Sequence, residues 1–363
     1  VKNNTIDELL VPRVTLMDSQ SDILSSMHDD IALATKSIYL EIYRFGSDYI
    51  GERFRDILAV KCEQGLQVKL LLDSWGTSQS SAFFEPIIRN GGEVLFFKKI
   101  KFFVDFFTKN HRRNHRKILV IDDNITYLSS SNITGYSMNW REICLRMEGP
   151  VSMVFRKVII DSSKIYNKYI FNRFAYKKTI YYNGFEIIQD LPSLYRQQVK
   201  KRYEKLFSKA KQEIIIETPY FLPGYKLRRQ MLQAVRRGVN VIAIMPLHSD
   251  VRTVDFLRDK YLKFMYNNGI QLYFYTKNNL HAKCILVDKE TFAVGSSNFD
   301  YRSFRYQYEI VLLGKQPDIT ALVNNHLEES LKGCIPFDYN AYLRRPLIEK
   351  VFGWAMLPFR HLF

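Results

Sequence analysis

The sequence predicts an α/β protein made of two similar halves, each a mostly parallel mixed sheet flanked by helices. Three observations predict it: an internal repeat, strand–helix–strand alternation inside each copy, and a length of 363 residues, which suits about two domains. Laid together, Lys36–Phe45 (KSIYLEIYRF) matches Lys211–Phe221 (KQEIIIETPYF), and aligning Ile38 with Ile214 brings Glu41 over Glu217. Both segments are rich in β-branched and aromatic residues, as strands are. A helical segment follows in each copy, Ile50–Gln64 and Leu227–Arg237, closed by Gly65 and Gly238 in the place of a glycine C-cap. Leu66–Asp73 and Val239–Pro246 then read as strands, and Asn90–Phe97 matches Asn267–Phe274. This order builds βαβ units around a parallel sheet. The boundary falls between about Pro150 and Leu206, a stretch that includes the turn signal Asn183-Gly184. The halves are expected at residues 1–175 and 176–345, with 346–363 as a C-terminal basic amphipathic segment.

Composition narrows the class. Hydrophobic residues at 47% and charged residues at 25% exclude a largely disordered chain. The four cysteines are scattered without a CxxC pair, which argues against a disulfide scaffold or a zinc finger. The longest apolar run, around Val351–Phe359, is interrupted by Gly353 and Pro358 and falls short of the ~20 residues a spanning helix needs. The chain begins with Val rather than Met, which leaves room for a membrane anchor upstream. Lys and Arg number 53 against 37 Asp and Glu, a net charge of +16. Such a surface attracts polyanions, either nucleic acid or anionic lipid headgroups. The 26 Phe and 23 Tyr, interleaved with basic residues, suit single-stranded nucleic acid and a membrane interface equally.

The chemistry recurs at the same place in each copy. His115-Arg116-Lys117 is followed by four residues and Asp122; His281-Ala282-Lys283 is followed by four residues and Asp288. Downstream, Ser130 and Asn132 follow His115 at the intervals that separate Ser296 and Asn298 from His281, with Glu142 and Glu309 at nearly equal distances beyond. Read as extended strands, HRKILVID and HAKCILVD put His and Lys on one face. Turns at Asp122-Asp123-Asn124 and Asp288-Lys289-Glu290 send returning strands, Ile125–Leu128 and Thr291–Val294, back with Ser and Asn beside them.

These residues suit a phosphodiester. Lys117 and Lys283 are point charges for a phosphoryl oxygen, and Asn132, Asn298, Ser130 and Ser296 can add hydrogen bonds. One imidazole can attack phosphorus to give a covalent phosphoenzyme, and the other can protonate the departing alcohol. That division needs the two pKa values driven apart by their surroundings. A carboxylate on each imidazole Nδ1–H fixes the tautomer, and Glu142 and Glu309 are the candidates. Asp122 and Asp288 complete the candidate set.

The paired HxKx4D motifs resemble the phospholipase D superfamily, and the resemblance covers nearly the whole chain. It implies two similar α/β halves packed with the active site at their interface, no metal cofactor, and a phosphohistidine intermediate. On that analogy His115 is the nucleophile and His281 the general acid. Within the superfamily, LHAKCILVD with VGSSNFDYRSFRYQYE, ETPYFLPG and LLLDSWG are most similar to bacterial cardiolipin synthases. Ser129 stands where the family usually has glycine, as Gly295 does, and Gln307 where asparagine is more usual. The activity implied is transfer of a phosphatidyl group through His to phosphatidylglycerol, giving cardiolipin. The alternatives are a hydrolytic phospholipase D, a phosphodiesterase or nuclease of the same superfamily, and a catalytically inert binding protein. The resemblance implies anionic phospholipids (phosphatidylglycerol, cardiolipin) as partners and peripheral association with a bacterial cell membrane. Nucleic acid is the less favoured partner, because two segments read as interfacial anchors. They are Phe97–Arg113 (FKKIKFFVDFFTKNHRR) and Arg344–Phe363, where Leu347, Ile348, Val351, Phe352 and Ala355 share a helical face.

Overall fold

A computed structural model describes residues 11–97, 112–165, 179–192, 196–356 and 358. The chain divides into two compact units, Val1–Asn183 and Gly184–Phe363. The division falls at the Asn183-Gly184 turn, where both residues have positive φ (43° and 78°), a conformation that asparagine and glycine tolerate best.

The first unit contains β1 (Arg13–Ser19), α1 (Gln20–Leu33), β2 (Ser37–Ile42), α2 (Tyr49–Glu63), β3 (Gln67–Asp73), α3 (Glu85–Arg89), β4 (Glu93–Phe97), β5 (Ile118–Ile121), β6 (Ile125–Ser129), β7 (Arg141–Glu148) and α4 (Val151–Ile165). Its seven-stranded sheet runs β1-β7-β6-β5-β2-β3-β4. Every residue of β2 is buried, as expected for a central strand covered on both faces. α2 starts where Asp48 accepts the Gly51 amide at 3.2 Å and buries Ile50, Phe54, Leu58 and Cys62, one stripe at helical spacing. Gly65, just past its end, has φ 85°, as a C-cap requires.

The second unit contains β8 (Phe185–Asp190), α5 (Gln198–Lys209), β9 (Glu213–Glu217), α6 (Tyr225–Arg236), β10 (Asn240–Pro246), α7 (Arg252–Asn267), β11 (Gln271–Tyr275), β12 (Cys284–Val287), β13 (Thr291–Gly295), α8 (Tyr301–Tyr306), β14 (Gln307–Gly314), α9 (Pro317–Lys332), β15 (Cys334–Pro336), α10 (Tyr339–Leu343) and α11 (Leu347–Ala355). Its strands run β15-β11-β10-β9-β12-β13-β14-β8, so β9, β10 and β12 repeat the places of β2, β3 and β5. Gly238 closes α6 with φ 85°.

Both sheets are mixed, but the expectation of mostly parallel pairing needs correction. Parallel pairs are confined to β2-β3-β4 and β9-β10-β11. The motif strands β5 and β12 enter antiparallel to β2 and β9 and continue as antiparallel ladders. The short turn after each motif accounts for the strand that follows it: three residues can join only antiparallel strands, whereas a parallel connection needs a crossover.

Residues 98–111, most of the first predicted anchor, lie outside the described residues. Of that segment's ends, Phe97 and Arg113 are buried. In the C-terminal stripe, Leu347 and Val351 are exposed on α11; the side chains of Ile348 and Phe352 lie outside the described set. Among the described residues no helix is long and apolar enough to cross a membrane.

Candidate active site

In the first unit the chain is anchored just before the motif. Asp73, at the end of β3, forms a fully buried ion pair with Arg113 (Nη2–Oδ1 2.9 Å) and accepts the Asn114 amide at 2.8 Å. Arg113 also donates to Ser74 Oγ at 2.9 Å and to the Phe97 carbonyl at 3.2 Å. These bonds fix the two residues that precede His115. The motif strand itself begins at Ile118, so His115 and Lys117 sit on its entry, between it and the short strand Arg113–Asn114. Both are buried. Lys117 Nζ donates to the His115 carbonyl at 2.8 Å. Tyr43 stands edge-on to the His115 ring, centroids 5.1 Å apart, with Lys117 Nζ 5.4 Å from the same phenol ring.

The returning strand carries its residues back as the spacing predicts. The Ser129 amide donates to the Lys117 carbonyl at 3.2 Å, and the Ser130 amide to the Ile143 carbonyl at 2.9 Å. The Ser130 hydroxyl donates to the Glu142 carboxylate and accepts the Ile143 amide at 2.9 Å. Asn132 is held through its main chain by Gln20 Nε2 at 2.7 Å, and its Oδ1 accepts the Arg44 amide at 3.2 Å.

The second unit repeats this wiring. Lys283 Nζ donates to the His281 carbonyl at 2.6 Å. The Gly295 amide donates to the Lys283 carbonyl at 3.3 Å, and the Ser296 amide to the Ile310 carbonyl at 2.9 Å. The Ser296 hydroxyl donates to Glu309 and accepts the Ile310 amide at 3.0 Å. Ser129, where glycine was expected, leaves the ladder intact. Gly295 has no such latitude, because a Cβ there would lie 2.2 Å from the Ile310 carbonyl oxygen.

Each unit thus brings His, Lys, Ser and Glu onto one set of adjoining strands. Asp122 and Asp288 are not brought to the imidazoles. Each lies at the far end of its strand, about 16 Å from the lysine at ~3.3 Å per residue. The Asp122 carboxylate accepts the amides of Thr35, Lys36 and Ser37 at 2.7, 2.7 and 2.9 Å. Asp288 does the same for Lys211, Gln212 and Glu213 at 2.9, 2.7 and 3.0 Å. Burial alone would raise both pKa values. The three amides together outweigh it, and both carboxyls titrate below their ordinary value.

Two pairs support this arrangement without a role assigned from sequence. Asp73 and Arg113 form a buried pair between residues far apart in the chain. Asp300 and Ser303 lie in the stretch that carries the family resemblance, but the motif spacing gave them no part. Ser303 donates its amide to Asp300 at 2.6 Å, its hydroxyl to Gln307 Oε1 at 2.9 Å, and accepts the Asn298 amide at 3.3 Å. Burial pushes the Asp300 carboxyl up to about 6, against the opposing pull of the Ser303 amide and the Arg302 and Lys283 charges.

Two matching sets of these residues, one in each of two units built on a mixed sheet flanked by helices, are those of a phosphodiester-transferring protein of the phospholipase D type. A solved structure titled phosphatidylserine synthase from Haemophilus influenzae Rd KW20 shares the fold, with a TM-score of 0.75 at 13% identity over 100% of both chains. The chain belongs to the family described as cardiolipin synthase, PLD-like domain, whose model matches residues 27–162 and 203–331. It is 27% identical to a cardiolipin synthase of Clostridium perfringens (strain SM101 / Type A) over 93% of this chain and 74% of that one. It is 29% identical to the major cardiolipin synthase of Bacillus subtilis (strain 168) over 91% and 72%.

Proposed function

We propose that the chain is a cardiolipin synthase-type phosphatidyltransferase. The carrying observation is that both units hold a complete His, Lys, Ser and Glu set with the same hydrogen-bond wiring. His115 attacks the phosphorus of a donor phospholipid; the bond from phosphorus to the headgroup oxygen breaks, and His281 gives that oxygen its proton. The product of this step is phosphatidyl-His115 and a free headgroup alcohol. A hydroxyl of phosphatidylglycerol then loses its proton to His281 and attacks the same phosphorus, regenerating His115 and giving cardiolipin. Lys117, Lys283, Asn132 and Asn298 neutralise or bond the non-bridging oxygens as charge builds there. Glu142 and Glu309 orient the imidazoles, with Ser130 and Ser296 holding the carboxylates in place. Asp122 and Asp288 keep the motif strands seated on β2 and β9. The net charge of +16 supports an anionic membrane surface as the place of reaction.

The test is mass spectrometry of products from liposomes containing phosphatidylglycerol. Cardiolipin with stoichiometric release of the headgroup alcohol is expected. Phosphatidic acid alone would make the chain a hydrolase, and cleavage of single-stranded DNA without any cardiolipin would overturn the lipid reading.

A further inference from the structure

Behind the second motif strand lies a cluster that the proposed reaction does not use. Glu217 and Cys284 are direct partners across the β9–β12 ladder, and α9, which packs on β12 and β13, lowers His326 onto them. His326 Nε2 is 2.6 Å from Glu217 Oε2, and Cys284 Sγ is 3.4 Å from the same oxygen. One ligand atom from each residue falls within 4.8 Å of the others. All three residues are buried.

The first unit shows what this place demands. Glu41, the repeat counterpart of Glu217, is equally buried. It accepts Asn114 Nδ2 at 2.7 Å and lies 3.9 Å from Arg116 Nη1. Arg116 in turn donates to Ser162 of the covering helix at 2.8 Å. There a permanent cation, the guanidinium, faces the buried carboxylate. In the second copy Ala282 stands for Arg116, Cys284 for Ile118, and the covering helix offers an imidazole. The exchange removes a fixed cation and installs a thiol and an imidazole, the donors that soft and borderline divalent metals prefer.

We propose that Glu217, Cys284 and His326 bind one divalent transition-metal ion, zinc by ligand preference, as a structural clamp between β9, β12 and α9. Binding breaks the Cys284 S–H bond, releases that proton to solvent, and forms a metal–thiolate bond. His326 ligates through Nε2, its proton moving to Nδ1. Tetrahedral zinc, with bonds of ~2.0–2.3 Å, sets its donors about 3.3–3.7 Å apart. The Cys284–Glu217 spacing already meets this, and the His326–Glu217 contact opens by about 0.7 Å. Oxygen from water or a main-chain carbonyl completes the fourth position.

The test uses the whole chain. Purified protein is assayed for zinc, then stripped with a chelator and titrated with Co2+ alone, with circular dichroism recorded throughout. The expected result is one equivalent of metal and a thiolate-to-cobalt charge-transfer band. Cys284→Ser should abolish the band, and Cys334→Ser should keep it. His326→Gln should weaken Co2+ binding at least tenfold. A folded wild-type protein that takes up neither metal, or a band that survives in Cys284→Ser, would overturn the proposal. If Cys284→Ser fails to fold, the wild-type titration still decides. None of these readouts depends on lipid turnover.

Discussion

Replacing Asp122 separates a structural role from a chemical one. The carboxylate holds three backbone amides and the Thr35 hydroxyl, the last at 3.0 Å. Asp122 also has φ 52°, a left-handed conformation that Asp and Asn tolerate and Ala does not. Asp122→Ala loses both. The amides lie near the surface, so water replaces part of what is lost, at about 0.5–1 kcal/mol for each bond. The backbone adds about 1 kcal/mol, for a total of about 3–5 kcal/mol. Asp122→Asn keeps the conformation and one acceptor oxygen, and should cost about 1–2 kcal/mol. The sign with pH follows from the depressed pKa of Asp122. Its stabilisation is fully present above the unfolded carboxyl value of ~3.9 and is lost as pH falls through the lower folded value. The gap between wild type and Asp122→Ala should therefore be widest near neutrality and narrow in acid. Urea unfolding at several pH values measures the gap, and phosphatidyl transfer by the folded Asp122→Asn protein should stay within about threefold of wild type. A variant of unchanged stability that has lost turnover would refute this reasoning and put the carboxylate in the chemistry.

The remaining expectations concern other parts of the same machinery. His115→Ala and His281→Ala should each lower turnover at least a hundredfold while leaving the urea midpoint near wild type; near-normal activity in either removes the two-histidine mechanism. Asp73→Ala leaves the Arg113 guanidinium buried without its carboxylate and should cost about 3–5 kcal/mol, read by thermal unfolding. Gly295→Ala should destabilise by about 3 kcal/mol or more, because the new methyl meets main chain rather than a side chain that can turn aside. Asp300, raised to about 6, binds its proton more tightly folded than unfolded. Wild-type stability should therefore fall relative to Asp300→Asn as pH rises from 4 through 6, and a flat difference would show that Asp300 titrates normally.

Much of this architecture could be read before any coordinates. β2, β3, β9 and β10 fall within a few residues of their predicted places because short apolar runs alternating with helical segments leave few alternatives. The glycine caps at 65 and 238 fall where backbone chirality requires them. The return of Ser130 and Ser296 was legible because strand and turn lengths fix register. Strand direction was less so. Alternation of strand and helix implied parallel pairing, but the turn after Asp122 decides direction locally, and only for the strand that follows it. The reach of a carboxylate was also hidden: Asp122 shares a motif with His115, yet extended backbone carries it to the opposite end of the sheet. The Asp73–Arg113 pair left no periodic trace, since it links residues forty positions apart.

The contrast between Ser129 and Gly295 makes the duplicated elements exchangeable in one direction only. Glycine can be written into the first copy without a collision, whereas serine written into the second drives an atom into the Ile310 carbonyl. On this pair alone, Ser129→Gly should be tolerated and Gly295→Ser should not, so the two copies are not interchangeable at this step of the ladder.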